Sequence, residues 1–181
     1  NDKNVHYYTP EDVVRLALEN EIDIISWTYN DPVVWQEFVV DTSRLAKEHG
    51  IKTLYKSALY IEEEPLNELI EVIDIFSISL KGMDEKMYRK YTKGSLEPIL
   101  ERIKQISLTG RHLEISQLIV TDMNDNGEDA IKTADWIVDN VGPDTPLHLV
   151  AYHPAFRYTK ARTTTDTLLR LRNIVMERGI K

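Results

Sequence analysis

The chain has 181 residues, 42% hydrophobic and 29% charged, which suits one domain over 1–181 with a substantial core. A formal net charge of −8 argues against a nucleic-acid surface, and no apolar stretch approaches the roughly 20 residues that span a bilayer. There are no cysteines, so disulfides and cysteine-ligated metals are excluded within these residues.

The opening Asn1-Asp2-Lys3-Asn4 is polar with no apolar stretch behind it, so no signal segment is expected and a cytoplasmic location is. Pro10–Asn20 reads as a helix, with Thr9 as cap, Pro10 in its first turn, and Glu11 and Asp12 beside its dipole. Ile22–Thr28 reads as a strand and Val33–His49 as a helix; Ile51–Ser57 and Glu64–Ile73 repeat the pair. Ile75–Lys81 is a strand, followed by helices over Asp84–Lys93 and Leu96–Leu108. Leu113–Val120 is a strand, Asp125–Val141 a helix capped by Asp125 with Glu128, Leu147–Tyr152 a strand and Thr165–Arg178 a helix. Gly50, Gly110, Gly142 and Gly179 each close a helical pattern. The alternation predicts an α/β fold with parallel strands. The helix-first start predicts a strand upstream of Pro10, and the Ile180-Lys181 ending, which repeats Ile51-Lys52, predicts another strand opening there.

In such a fold the C-terminal strand ends gather on one face, where sites form. Four polar motifs stop apolar runs at those ends: Thr28-Tyr29-Asn30-Asp31-Pro32, Tyr55-Lys56-Ser57, Ser79-Leu80-Lys81-Gly82 and Tyr152-His153-Pro154. Asp31 offers a carboxylate to an ammonium group, and equally an ordinary N-cap before Pro32. Lys81 can pair with a carboxylate or phosphate, or snorkel at the rim. His153 can act as an acid–base group or sit as a satisfied structural histidine. Either Ser116 or Gln117 should face the interior, and an interior amide needs a partner, whether ligand or neighbour. His148 lies at a strand start, away from these ends, and His6, His49 and His112 read as solvated. No histidine pair has zinc spacing, and no metal ligand is expected. Trp27, Trp35 and Trp136 read as core or rim aromatics.

The ordered set Thr-Tyr-Asn-Asp-Pro, Ser-Leu-Lys-Gly and Tyr-His-Pro resembles the radical S-adenosylmethionine enzymes related to the pyruvate formate-lyase activating enzyme, and within them the AmmeMemoRadiSam subgroup. Lys90–Gly94, Val120–Asp125, Gly142–Pro146 and His153–Arg157 extend the resemblance along the chain. It implies a partial parallel (β/α) barrel, here lacking its first strand and its last. It implies a 4Fe-4S cluster held by a Cys-x3-Cys-x2-Cys loop, S-adenosylmethionine as cofactor, a 5′-deoxyadenosyl radical, an electron donor, and a protein or peptide substrate as one possibility. By position, the resemblance assigns Thr28, Tyr29, Asn30 and Asp31 to the methionine amino group and Ser57 to a ribose or cation contact. It assigns Ser79 and Lys81 to an Asp-Leu-Lys motif, and Gln117 and His153 to polar contacts on the last two strands.

Three positions depart from that pattern. Ser79 stands for the aspartate, Ala58-Leu59 for an Asn-Gly, and the cysteine motif is absent from the chain and expected upstream of Asn1. Two other readings use the same residues: a cluster-free binding or scaffold module of the same fold, and an unrelated barrel hydrolase or lyase in which Asp31, Lys81 and His153 share one cavity.

Overall fold

The computed structural model describes residues 6–181, and the polar opening Asn1-Asp2-Lys3-Asn4 lies outside them. Five strands form one sheet: β1 (Ile24–Trp27), β2 (Lys52–Ser57), β3 (Ile75–Leu80), β4 (His112–Ile119) and β5 (Leu147–Ala151). All neighbours are parallel, and the spatial order is the sequence order. Helices α1 (Pro10–Glu19), α2 (Gln36–Glu48), α3 (Glu63–Val72), α5 (Glu97–Ser107), α6 (Gly127–Asn140) and α7 (Thr165–Glu177) lie between or beside the strands, with a short α4 (Glu85–Met87) after β3.

Side chains alternate across a strand, so each strand offers one row to the helices and one away from them. The helix-facing row is mostly apolar: Trp27, Tyr55, Phe76, Ile78, Leu80, Leu113, Ile115 and Ile119 are buried in one core, with Thr53, Ser57 and Gln117 as buried polar members of the row. Leu66, Leu69, Ile103, Ile106, Ala134, Ile137 and Leu171 meet them from the helices. The other row is polar through its middle: Ser26, Lys56, Ser77, Ser79, Glu114, Ser116 and His148 occupy it. Sequential parallel strands with crossovers of one hand put their helices on one side, so the second face stays free to curve around a site.

The caps follow the sequence with one shift. Thr9 accepts from Asp12 N while the Asp12 side chain accepts from Thr9 N, a full capping box. Gly50 and Gly110 end their helices at φ +75° and +73°, backbone that costs glycine little. The cap of α6 is Asn126, which accepts from Asp129 N at 2.9 Å, not Asp125. Asp125 is held in the preceding turn, accepting from Asp122 N at 3.1 Å.

Two predicted helices are broken. Val33–His49 divides into a 3-10 turn, Pro32–Trp35, and α2. Trp35 leaves helical backbone (φ −145°, ψ 38°), and its ring meets Trp27 edge-on at 5.6 Å. Asp84–Lys93 becomes α4 and a π turn, Tyr88–Thr92, that ends at Lys93 with φ +63°. Thr92 Oγ1 donates to Tyr88 O at 2.8 Å, a side-chain bond that competes with regular helix geometry.

The Trp27 indole N–H donates to Ser43 Oγ at 2.9 Å inside the core, tying β1 to α2. Ser43→Ala leaves that donor buried and unpaired, at a cost of about 1–3 kcal/mol. Urea unfolding should show a lower midpoint at unchanged slope. A midpoint equal to the parent's would mean that the indole finds another acceptor.

Candidate functional site

The C-terminal ends of β1, β2 and β3 form an open cavity of about 250 Å³ lined by Thr28, Tyr29, Asn30, Asp31, Lys56, Ser57, Ala58, Ser79 and Lys81. Seven of the nine residues anticipated from the strand-end motifs meet there, drawn from three separate segments.

Asp31 organises the rim. Its Oδ1 accepts from Ser57 Oγ at 2.7 Å and from Val33 N at 3.3 Å, and its Oδ2 accepts from Ala58 N at 2.9 Å. The side chain is therefore both the cap of the 3-10 turn and a latch between the ends of β1 and β2. Ahead of it, Asn30 N donates to Thr28 O at 3.1 Å around Tyr29, whose φ is +72°. A three-residue turn of this hand is strained for a side chain, and it leaves the Tyr29 ring fully exposed at the cavity mouth.

Two lysines stand on the cavity's inner side. Lys56 Nζ donates to Ser116 Oγ at 3.1 Å and to Ser77 Oγ at 3.3 Å, spanning β2, β3 and β4. Ser79 Oγ lies 3.5 Å from Ser116 Oγ. Lys81 continues β3, its backbone N–H donating to Tyr88 Oη at 2.9 Å and its carbonyl accepting from Asn124 Nδ2 at 2.9 Å. Burial holds the Lys81 ammonium below the usual lysine range, the Lys56 charge pushes it further down, and Asp31 partly restores it. A second, more apolar cavity of about 210 Å³ adjoins this one through Ala58 and Lys81.

Gln117 is a correction. It faces the helices, 1% exposed, and its Nε2 donates to the buried Asp129 Oδ2 at 2.7 Å. Strand alternation gives the opposite face to Ser116. The amide is satisfied by a neighbour and lies outside the cavity lining. His153 is exposed beyond β5 and is likewise absent from that lining. The hydrolase or lyase reading required Asp31, Lys81 and His153 in one cavity, and it fails on this geometry.

Lys56 was the residue missed. The alternation of Lys52, Leu54 and Lys56 against the buried Thr53, Tyr55 and Ser57 is its signal. His112, read as solvated, and His148, read as lying away from the site, place their Nε2 atoms 2.9 and 3.0 Å from the two oxygens of Glu114. A larger cleft, about 520 Å³, opens at the other end of the sheet beside Gly110–Leu113 and Val141–Pro146. The smaller cavity is the better candidate, because it lies at the C-terminal strand ends and concentrates cations and hydroxyls.

Residues 1–137 match the family model of the Radical SAM superfamily. Over 174 residues the chain is 37% identical to an uncharacterized protein of Methanocaldococcus jannaschii, covering 96% of this chain and 51% of that one. Over 112 residues it is 26% identical to the (2S)-3-sulfopropanediol dehydratase activating enzyme of Klebsiella oxytoca, covering 62% and 35%. The chain thus spans about half or less of the length of these relatives. Its fold superposes with a TM-score of 0.75 on the crystal structure of a domain of a pyruvate-formate lyase-activating enzyme from Bacteroides vulgatus, at 18% identity over 87% of this chain and 95% of that one. The five-stranded parallel sheet is accordingly the partial barrel anticipated from the motifs.

The Gln117–Asp129 contact generates a pH prediction. Burial raises the Asp129 carboxyl above the usual aspartate range, outweighing the hydrogen bonds from Met83 N and Gln117 that lower it. A folded pKa above the unfolded one gives stability that is full below the unfolded value, about 3.9, and is lost as pH rises through the folded value. Asp129→Asn, with the Gln117 amide turned to offer its oxygen, should remove the loss of stability that urea unfolding of the parent shows as pH rises above about 4. Asp129→Ala strands the buried Gln117 amide and the part-buried Met83 N–H, and should cost about 1–3 kcal/mol for the buried one.

Proposed function

This chain belongs to the Radical SAM superfamily, and we propose that its strand-end cavity is the cofactor rim of an S-adenosylmethionine-dependent radical enzyme of the glycyl-radical-activating kind. The observation that carries the reading is the convergence of three strand-end motifs on one cavity rich in hydroxyls, backbone polar groups and ammonium groups. The (2S)-3-sulfopropanediol dehydratase activating enzyme among the relatives supports a protein as the molecule acted on. A cytoplasmic setting and an electron donor belong to the same reading. Among the described residues, no helix is long and apolar enough to cross a membrane.

The residues fit one of the two expected groups. The cavity offers donors and acceptors suited to the amino-acid and ribose ends of S-adenosylmethionine, which supplies a carbon-centred radical on reductive cleavage of its sulfonium. A 4Fe-4S cluster held by thiolates does not fit these residues alone, since none of the 181 is cysteine.

Within that reading, the Thr28–Asn30 backbone and Ser57 orient the cofactor's polar ends. Asp31 positions Ser57 and the Ala58 N–H and holds the loop. Ser79 and Lys81 present a hydroxyl and a cation from β3. Gln117 and His153 take no part in the cavity.

The test is anaerobic reconstitution of the full-length protein with iron and sulfide, followed by reduction with dithionite and quantitation of 5′-deoxyadenosine. We expect turnover of S-adenosylmethionine, and a Lys81→Met variant should bind it about tenfold more weakly, the loss of one charge-assisted hydrogen bond. A protein with its full iron and sulfide complement that yields no 5′-deoxyadenosine would sink the proposal. In a mixture with a protein substrate, a carbon-centred radical signal on the protein partner supports the activating kind, and turnover that proceeds only with a small molecule overturns that part.

A further inference from the structure

The segment 153–157 takes no part in the cavity. It opens the excursion between β5 and α7, and the fold clamps that excursion at its base. Thr163, 2% exposed, donates its N–H to Tyr152 O at 3.0 Å. The Tyr152 hydroxyl donates to Tyr158 O, the two rings meet edge-on at 5.5 Å, and Tyr158 Oη donates to Thr121 O at 2.7 Å. Lys160 pairs with Asp122 at 2.7 Å. Inside this frame Ala155 and Tyr158 exchange both backbone hydrogen bonds, at 3.3 and 3.2 Å, which leaves Phe156 and Arg157 as the two tip residues of a hairpin.

The tip is what the frame holds out. Phe156 has φ +53°, at the place in a two-residue hairpin turn that glycine commonly fills. Its ring is 91% exposed, and the Arg157 guanidinium lies over it, 5.0 Å from the centroid. A strained backbone and an exposed aromatic ring are both unfavourable in the chain by itself, and a partner's surface offsets the second. From 153 to 164 the chain carries Arg157, Lys160 and Arg162 and no acid, although its overall charge is −8. Lys160 is paired. Neither Arg157 nor Arg162 has a carboxylate within ion-pair distance among the described residues.

We propose that this hairpin tip is a docking knob for an acidic partner protein: Phe156 seats in an apolar pocket of that protein, and Arg157 and Arg162 meet carboxylates at the pocket's rim. Aromatic and arginine anchors carry much of the energy of protein interfaces, and a support fixed in advance lowers the cost of ordering them. The charge pattern selects the partner. A lipid surface or a nucleic acid is a polyanion wider than this loop, so it would also meet the chain's overall negative charge. A single ring, moreover, buries little apolar area in lipid. A local acidic patch on a protein answers to the loop alone, because charges beyond about 8 Å are screened. The knob goes beyond the proposed function and does not rest on it.

The test is titration calorimetry of the full-length protein with a synthetic amphipathic helical peptide that carries leucines on one face and glutamates on the rest. Versions with lysine for glutamate and with serine for leucine, phosphatidylserine-containing vesicles and poly(U) run in parallel. We expect saturable binding of the glutamate–leucine peptide, weakened about tenfold or more in Phe156→Ala and in Arg157→Glu. Phe156→Gly should bind as weakly as Phe156→Ala and unfold in urea no earlier than it, because glycine tolerates the positive φ. No binding of the peptide, equal binding of either altered peptide, or undiminished binding in folded Phe156→Ala would overturn the knob. Equal or stronger binding of vesicles or poly(U), lost in Phe156→Ala, would overturn it in favour of a membrane or a nucleic acid. A concentration-dependent dimer in sedimentation, lost in the same variant, would overturn it in favour of a second copy of this chain. None of these readouts uses S-adenosylmethionine. Failure here therefore leaves the proposed function as it was, and a protein that yields no 5′-deoxyadenosine leaves the knob standing.

Discussion

The site depends on a geometric constraint, the two-sidedness of a parallel sheet whose helices all lie on one face. Each strand must give alternate residues to the helix layer, and most of those residues must be apolar to hold it. Phe76, Ile78 and Leu80 meet that demand on β3, which leaves Ser77, Ser79 and Lys81 for the other side. The same division on β2 and β4 leaves Lys56 and Ser116 there. Because the strands are parallel and in sequence order, those leftover residues form one band, and the loops that follow them share one rim. The polar face is therefore a consequence of how the apolar face is built.

Within that rim, Asp31 spends its carboxylate on structure. Its bonds to Ser57, Ala58 and Val33 fix how β1 and β2 end, while its charge still favours the nearby Lys81 ammonium. Distant surface acids do little to compensate. At physiological ionic strength charges are screened over about 8 Å, so the overall −8 acts weakly on a partly buried cavity and the local pair dominates.

The elements were legible because helix faces such as Ile99, Leu100, Ile103 and Ile106 repeat at the period of a helix and each strand is a short apolar run. The breaks at Trp35 and Tyr88 were not, because each answers to tertiary packing or to a local side-chain bond. Seven rim residues were legible because a motif that stops a strand sits at a strand end wherever the strand goes. For Gln117 the sequence left two partners open for an interior amide, a ligand or a neighbour; the resemblance favoured the ligand, and the partner is Asp129. Its partner Asp129 reads in sequence as an acid in the first turn of α6, which any helix dipole would explain. Glu114 was passed over similarly, since its two histidines belong to different strands.

Ser79 connects these strands of argument. The motif resemblance places an aspartate there, beside the serine that Lys56 touches. An aspartate would neutralise the ammonium and return the cavity to zero net charge. With serine at 79, Lys56 keeps its position between Ser77 and Ser116 and has no carboxylate within ion-pair distance among the described residues. A serine at 79 and a lysine at 56 are therefore compatible through hydroxyl contacts, with Ser116 the group that both side chains approach.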